Sequence, residues 1–349
     1  MSELRSSSHF TLPHRDHPVT PALSVVVPVF NEREVLPLFI QRLERILAKL
    51  PLTAEIVFVD DGSEDGSAEY IIDMLRQYRF ARLVRLSRNF GKEAALTAGI
   101  EHARGDAVVI IDADLQDPPE LIPEMVDRWQ SGSDVVLMQR KSRQGETWLK
   151  RASAYCFYRL LNRTCRSPIP VDTGDFRLMS RRAVNALLQL TERNRYMKGL
   201  FAWVGMPTTI IRYDRDPRQA GTTKWDFLGL AGLAFEGLTS FSVSPLRWAT
   251  GVGVIAATLG ALFGFWIVVK ATLLGDVTSG YPSLVAIITF LGGMQLMGIG
   301  IVGEYVGKTY IESKQRPVYI TRDVVERTGA ATDQSVAHLQ EAKRHVQAG

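Results

Sequence analysis

Two long apolar stretches constrain the architecture of this chain more than any other feature of its sequence. Residues 248–269 and 283–303 contain no Asp, Glu, Lys or Arg, and each is close to the ~20 residues that a helix needs to cross a bilayer core. Charged residues make up 22% of the 349-residue chain, so the remainder has the composition of an ordinary globular domain. The sequence therefore predicts a globular domain that carries a two-helix transmembrane hairpin. This excludes both a purely soluble protein and a many-helix transporter.

The basic residues beside these stretches predict the orientation of the hairpin. They stand at its outer ends and are Arg247, Lys308, Lys314 and Arg316. The connecting segment, 270–282, contains only one basic and one acidic residue, Lys270 and Asp276. By the positive-inside rule, we expect a multi-pass protein of the inner (plasma) membrane with both termini in the cytoplasm. Glycines in both stretches are compatible with close helix packing, within one chain or in a homo-oligomer.

The segments outside the central domain have distinct compositions. Residues 1–21 are rich in Ser, His and Pro and lack an apolar run, which predicts a disordered tail rather than a signal peptide. Residues 225–243 predict an interfacial amphipathic helix, residues 244–307 the two membrane helices, and residues 308–349 a polar cytoplasmic tail. The net charge of +4 gives no dense basic stripe, so we expect no nucleic-acid partner. The two cysteines are too few for a disulfide framework.

Short β-rich runs alternate with helical segments through residues 22–224. The predicted strands are 24–29, 55–59, 82–86, 107–111, 135–138, 176–179 and 208–213. The predicted helices are 35–50, 67–77, 92–103, 119–131 and 147–162. Strands that are apolar on both faces and alternate with helices predict an α/β domain, in which a doubly wound, mostly parallel sheet has helices on both faces.

Polar clusters follow four of the predicted strands. They are the pair 31–32 (NE) and the runs 60–63 (DDGS), 87–89 (SRN) and 112–114 (DAD). Ligands of doubly wound sheets bind outside the carboxyl ends of the strands. The clusters therefore predict a nucleotide-type site at that edge.

The run 112–116 (DADLQ) is the sharpest motif. In an extended backbone Asp112, Asp114 and Gln116 share one face. Two carboxylates and an amide oxygen are ligands for Mg²⁺ or Mn²⁺ rather than for zinc, and such a cation neutralises a diphosphate leaving group. The alternative is a cluster that caps the following helix, a role that we expect for Asp117.

Three further polar groups are candidate site residues, each with a structural alternative. Asp60 ends a predicted strand and can accept an N–H from a nucleobase, or it can belong to a turn. Asp175, within 172–177 (DTGDFR), is a candidate base or acceptor-site residue, or can bond to neighbouring backbone. Arg218 and Lys224 can clamp phosphates, or attract anionic lipid. The Gly-Lys pair at 91–92 is not a P-loop, because Ser87 stands where that motif needs Gly.

Together these motifs resemble family 2 glycosyltransferases of the polyprenyl-phosphate type, which have the GT-A fold. The residues that carry the resemblance are 27–32 (VPVFNE), 59–63 (VDDGS), 87–93 (SRNFGKE), 112–116 (DADLQ), 173–177 (TGDFR) and 221–225 (GTTKW). The group includes dolichyl-phosphate mannose synthases and bacterial polyisoprenyl-phosphate glucosyltransferases. The run 192–199 (ERNRYMKG) and the hairpin favour the bacterial glucosyl-type enzymes. The polymerase signature Gln-x-x-Arg-Trp is missing, since Met125 stands three residues before Arg128.

The resemblance implies roles for individual residues. Pro28, Phe30, Glu32 and Asp60 match nucleoside-binding positions. Asp112, Asp114 and Gln116 match the metal and diphosphate positions. Arg140, Arg218 and Lys224 match basic contacts to the donor or acceptor phosphates. Asp175 matches a residue of acceptor activation, and Asp175 and Asp114 are the candidate catalytic residues.

The activity that the resemblance implies is transfer of one sugar from a nucleotide sugar to a polyprenyl phosphate. UDP-glucose and undecaprenyl phosphate are the expected donor and acceptor, and the product is a lipid-linked sugar for modification of cell-surface glycans. Mg²⁺ or Mn²⁺ assists the transfer, which inverts the anomeric carbon. The alternatives are another donor (GDP-mannose, UDP-GlcNAc or UDP-4-formamido-arabinose) or a non-catalytic membrane accessory protein.

Overall fold

One eight-stranded sheet organises the globular part of the protein. The computed structural model describes residues 21–76, 81–141, 159, 173–214, 239, 243–274 and 280–326. The strands within them are β1 (Leu23–Val29), β2 (Ala54–Asp60), β3 (Ala81–Leu86), β4 (Ala107–Ile110), β5 (Val135–Arg140), β6 (Thr173–Ser180), β7 (Thr208–Tyr213) and β8 (Thr321–Glu326). Their spatial order is β7-β5-β6-β4-β1-β2-β3-β8.

Helices cover both faces of this sheet. They are α1 (Leu36–Leu47), α2 (Ser67–Leu75), α3 (Lys92–His102), α4 (Ile122–Gln130, after the 3-10 turn Pro119–Leu121), α5 (Arg181–Leu188) and α6 (Met197–Trp203). Buried side chains of α1, α2 and α4 pack on one face and those of α3, α5 and α6 on the other. Alternate residues of β1 divide between the two cores, with Val25 and Val27 in one and Val26 in the other. The predicted α/β architecture is confirmed.

The strand directions explain how distant segments reach one edge of the sheet. The pairs β1–β2, β1–β4, β2–β3 and β5–β7 are parallel, whereas β4–β6, β5–β6 and β3–β8 are antiparallel. Because β6 runs opposite to β4 and β5, its first residues lie beside the carboxyl ends of those two strands. Thr173 is aligned with Gln139, near the end of β5. Thr173–Asp175 therefore enter the predicted ligand edge from the start of a strand rather than from its end.

Two long helices follow the globular domain. They are α7 (Ser244–Leu274) and α8 (Tyr281–Ser313), they are in contact with each other, and they contain the predicted spans 248–269 and 283–303. Within the part of the chain that the structure describes, one segment, Ser244–Ile267, is long and apolar enough to cross a membrane by length and composition, with a mean hydropathy of 1.8.

The chain returns to the sheet after α8, which was not predicted. β8 pairs antiparallel with the edge strand β3, and the Arg104 guanidinium lies 3.3 Å from the Glu326 carboxylate. At the end of α8, Glu312 accepts backbone N–H bonds from Arg193 and Asn194 at 2.8–3.0 Å. The end of α8 therefore contacts the globular domain, and residues 321–326 form an edge strand of its sheet. The sequence of this strand, TRDVVE, is charged and lacks the apolar pattern of a buried strand. Its pairing partner lies more than 200 residues earlier, so no local pattern indicates it.

Some predicted features lie outside the described residues. They are the N-terminal tail, the helix at 147–162 apart from Arg159, the interfacial region 225–243 apart from Thr239 and Val243, and the end of the chain after Glu326. α5 and α6 were not predicted. These helices have 8 and 7 residues, which is too short for a clear helical period.

Candidate active site

The loops after β1 and β2 form one hydrogen-bonded unit. Asn31 has a φ of 56°; its N–H donates to Ser63 Oγ at 3.0 Å, and its side-chain oxygen accepts the Glu64 N–H at 2.9 Å. The Glu32 N–H donates to Ser67 Oγ at 3.0 Å. The unit presents Phe30, whose side chain is exposed, with Pro28 and Glu32 half-buried. These three predicted nucleoside residues therefore stand at one rigid corner of the ligand edge.

Asp60 and Asp61 have different surroundings although they are neighbours. Asp60 ends β2, is buried, and accepts the Ser63 N–H at 3.1 Å. Burial raises the pKa of Asp60 above its usual value, against the opposing effect of the Ser63 hydrogen bonds. Asp61 accepts the backbone N–H groups of Phe90 and Gly91 at 2.7 and 2.9 Å. Asp61 therefore shapes the loop before α3, a structural role that the sequence did not predict.

Gly62 is required where these two loops meet. Its φ is +75°, and a Cβ at this position would lie 2.7 Å from the backbone nitrogen of Asn89. A side chain would therefore both strain the backbone and push away the loop that Asp61 holds.

The predicted metal-binding residues lie on the open side of a turn. β4 ends at Ile110, and the chain then bends, with Leu115 at a φ of 60°. Asp112, Asp114 and Gln116 are half-exposed, whereas the residues between them are buried. The Asp114 carboxylate accepts the Gln116 N–H at 3.1 Å. The three side chains share one side, as their spacing suggests, although a turn rather than a continued strand places them there.

Asp117, for which helix capping was predicted, has a partner on another strand. The N-cap residues of the 3-10 turn and of α4 are Pro118 and Leu121, so capping by Asp117 stays a prediction. Asp117 is buried and accepts the hydroxyl hydrogen of Tyr213 on β7. Burial and the Asp117 carboxylate together raise the pKa of Tyr213, while Arg140, which also bonds to this tyrosine, lowers it. The motif is thereby tied to the far strands of the sheet.

Arg140 ends β5 beside the start of β6. A Cβ on Gly174 would lie 3.4 Å from the Arg140 Nη2 atom, and Arg140 Nε is buried with no hydrogen-bond partner among the described residues. A cation with an unused N–H at this edge fits the predicted contact to phosphate. Arg218 and Lys224 lie outside the described residues, so their phosphate contacts stay a prediction.

Lys92 joins the two acids that the sequence singled out. Its Nζ atom lies 2.7 Å from Asp112 Oδ2 and 2.6 Å from Asp175 Oδ2. Lys92 is the first residue of α3, immediately after the loop that Asp61 holds. The sequence did not single it out as a site residue, because its Gly-Lys pair failed the P-loop test. The position of that pair just after the carboxyl end of β3 was the available signal.

Several charged side chains surround Asp175. Burial alone would raise the pKa of the Asp175 carboxyl, but Lys92, Lys198 and Arg177 outweigh burial and hold it at about 2. Arg177 is buried, donates to the Gly174 carbonyl at 2.7 Å, and stacks on the Phe201 ring. Burial lowers the pKa of Lys198, against the effect of Asp175. Asp175 is therefore an ionised group held among cations.

Glu93 carries a testable pH dependence. Burial, reinforced by the Asp175 charge, raises the pKa of Glu93 from 4.5 to about 7. Between these values the folded state binds more protons than the unfolded state, so the stability of the protein should fall as the pH rises through this range. Glu93→Gln retains an oxygen for the Met197 N–H, which lies 3.0 Å from Glu93 Oε2, and should flatten the profile.

Thermal melting of the wild type and this variant between pH 4.5 and 8 measures the effect. The control is Glu124→Gln on the exposed side of α4, which should leave the slope unchanged. Parallel profiles for wild type and Glu93→Gln would contradict the assignment.

The donor set at Asp112 fits a hard divalent cation. It consists of two carboxylates and an amide oxygen on one open side. The Lys92 ammonium is bonded to one of these carboxylates, Asp112, in this structure. No group of three or more His, Cys, Asp or Glu side chains arranged for a metal occurs within the described ranges. A cation at Asp112 and Asp114 would therefore complete its shell with ligand oxygens from substrate and water.

Comparisons with known proteins show the family of this chain. The sequence matches glycosyl transferase family 2 over residues 24–188. It is 48% identical to an uncharacterized glycosyltransferase of Synechocystis, over 88% of this chain and 96% of the relative. It is 46% identical to a bactoprenol glucosyl transferase of Shigella phage SfV, over 86% and 98%. It is 45% identical to a prophage bactoprenol glucosyl transferase homolog of Escherichia coli, over 86% and 99%.

The chain belongs to glycosyl transferase family 2. It is a glycosyltransferase with the GT-A fold. Among solved structures, it is similar to glucosyl-3-phosphoglycerate synthase from Mycobacterium tuberculosis, a complex with Mn²⁺ and UDP, at 18% identity and a TM-score of 0.45 over 63% of this chain and 76% of that one.

Proposed function

We propose that this glycosyltransferase moves one glucose from UDP-glucose to the phosphate of a membrane polyprenyl phosphate such as undecaprenyl phosphate. The product is a lipid-linked sugar for modification of cell-surface glycans. The observation that carries the proposal is the ion-paired group in which Lys92 joins Asp112 of the diphosphate side to Asp175 of the acceptor side. The relatives named bactoprenol glucosyl transferase support the choice of sugar and lipid.

The loops after β1 and β2 would hold the nucleoside. Asp60 is a buried acceptor at the end of its strand, suited to an N–H of the base. The exposed ring of Phe30 offers apolar surface, and Pro28 and Glu32 border it. Because hydrogen bonds between the two loops hold this corner, the base would bind to a preformed surface.

Asp112, Asp114 and Gln116 would hold Mg²⁺ or Mn²⁺ against the diphosphate of the donor. The cation supplies neutralisation of the charge that develops on the departing diphosphate. Arg140, Arg218 and Lys224 add positive charge for the donor and acceptor phosphates. The metal ion and these cationic side chains, rather than a general acid, would thus stabilise the leaving diphosphate.

Asp175 would orient the acceptor through the cations beside it, Lys92 and Lys198, rather than take a proton from it. A phosphate monoester has a second pKa of about 6 and is largely dianionic at neutral pH, so it needs no strong base to attack. A carboxylate with a pKa of about 2 is also a weak base. Catalysis then rests on alignment of the phosphate oxygen with the anomeric carbon, which inverts, and on charge stabilisation.

The hairpin would hold the site at the membrane surface, where the isoprenoid tail of the acceptor must stay. α7 leaves the globular domain, and β8 after α8 pairs with β3 of the same domain. The hairpin would then begin and end on one side of the membrane, and the pairing of β8 with β3 supports this even number of crossings. Together with the basic residues at its ends, this supports a two-span protein of the inner membrane with a cytoplasmic catalytic domain and termini.

Cysteine labelling tests this topology. In a Cys156→Ser, Cys165→Ser background, Thr278→Cys in the loop between the helices should react with an impermeant maleimide added outside intact cells. Ser335→Cys near the C-terminus should react only after the membrane is opened. Equal labelling of the two positions in intact cells would contradict the two-span arrangement.

A donor panel tests the proposed reaction. Purified full-length protein is incubated with undecaprenyl phosphate, Mg²⁺ or Mn²⁺, and labelled UDP-glucose, GDP-mannose, UDP-GlcNAc or UDP-4-formamido-arabinose. We expect lipid-soluble label from UDP-glucose, and its loss when EDTA is added. Label from a different donor alone would overturn the assigned sugar. Absence of lipid-soluble label with every donor would overturn the proposal.

A further inference from the structure

The position of Lys92 raises a conflict between its ammonium group and a metal ion. Lys92 Nζ lies 2.7 Å from Asp112 Oδ2, and Asp112 is one of the two carboxylates at the candidate metal position. A divalent cation on this carboxylate would lie next to the ammonium, and two positive charges at short range repel each other. The bond between Lys92 and Asp112 therefore weakens the binding of a cation to the same carboxylate.

Lys92 is placed so that it can change partner. Its side chain is 45% exposed, whereas those of Asp112 and Asp175 are 20% and 12% exposed. It retains Asp175, 2.6 Å away, if it leaves Asp112. The other charged groups near Asp175 are Glu93, Lys198 and Arg177. Among these described cations, Lys92 is the one bonded to both Asp112 and Asp175.

We propose that Lys92 competes with the divalent cation for Asp112 in the donor-free enzyme and transfers to a phosphate oxygen when the nucleotide binds. The inference rests on the proposed function, because it needs an anionic diphosphate at this edge. An incoming diphosphate brings oxygens for both cations, and charge-assisted hydrogen bonds to phosphate are strong enough to replace the bond to Asp112. The metal and the nucleotide then bind together, and free metal binds weakly.

Binding of Mn²⁺ alone to the purified full-length protein, followed by the EPR signal of free Mn²⁺, tests the competition. Without nucleotide or lipid, Lys92→Met should bind Mn²⁺ at least about ten-fold more tightly than the wild type, because a competing charge is removed. Lys92→Arg keeps the charge and should bind as weakly as the wild type. In a Lys92→Met, Asp112→Asn double variant the gain should disappear. Lys49→Met, on an exposed residue after α1, is the matched control.

Two outcomes would overturn the inference. One is equal Mn²⁺ affinity, or no measurable binding, in wild type and Lys92→Met. The other is a gain that persists in the double variant, since the metal would then lie elsewhere. A melting curve for each protein checks folding, and Lys92→Gln repeats the test if the Met variant is unstable. Because the titration contains no sugar nucleotide, it can fail while the donor panel still gives lipid-linked sugar, so the two failures are distinguishable.

Discussion

Replacement of Asp112 by Asn should lower the rate of sugar transfer by about 10²–10³-fold, the loss that follows removal of a comparable electrostatic group from an active site. The change keeps the size of the side chain and removes its charge. It would weaken the hold on the cation and release Lys92 from its 2.7 Å bond. Asp114→Asn should have an effect of similar size, because Asp114 is the second carboxylate on the open side of the turn.

Steady-state rates at saturating Mn²⁺ measure this effect. The matched control is Asp127→Asn on the exposed side of α4, which should retain wild-type activity. Melting curves separate a loss of chemistry from a loss of fold. Near-normal turnover of either Asp112→Asn or Asp114→Asn would contradict the metal assignment.

Asp175→Asn should produce a second large loss, about 10²–10³-fold, the range for removal of a preorganised electrostatic group from an active site. The variant leaves Lys92, Lys198 and Arg177 without the carboxylate that they face, so the cations that would hold the acceptor phosphate lose their alignment. Because the pKa of Asp175 is about 2, its ionisation should impose no acid limb on the wild-type rate between pH 5 and 8.

The pH profile separates the two roles considered for Asp175. A positioning role predicts that the rate of the wild type follows the ionisation of the acceptor phosphate, with its pKa of about 6, and that Asp175→Asn lowers the profile without shifting it. A profile whose acid limb disappears in Asp175→Asn would indicate a proton-transfer role instead. Activity within ten-fold of the wild type would contradict both roles.

The sheet was largely predictable from sequence because its central strands are apolar on both faces. Runs such as 24–29 and 107–111 can be predicted as buried strands without knowledge of their partners. The direction of strand pairing could not be predicted, and the antiparallel placement of β6 brings Asp175 to the ligand edge. The strand β8 was missed since it is a charged edge strand whose pairing depends on β3, far away in sequence.

The site was predictable where local spacing decides the geometry. Alternation at Asp112, Asp114 and Gln116 placed them on one side, although the local backbone is a turn. Lys92 was missed because its role comes from two carboxylates that the fold brings to it from other strands. Glu312 was missed for a similar reason, as its backbone partners at Arg193 and Asn194 lie 119 and 118 residues away. Side chains whose partners are set by tertiary contacts leave no local pattern.

The proposed transfer to a polyprenyl phosphate is tested by varying the group that accepts the sugar. Release of UDP from UDP-glucose is measured with undecaprenyl phosphate, with undecaprenol, which lacks the phosphate, and with no acceptor. The mass of the lipid product is determined by mass spectrometry. We predict rapid release only with the phosphate, and a product one hexose heavier than undecaprenyl phosphate. Equal release without an acceptor, or transfer to undecaprenol at the same rate, would contradict transfer to a polyprenyl phosphate.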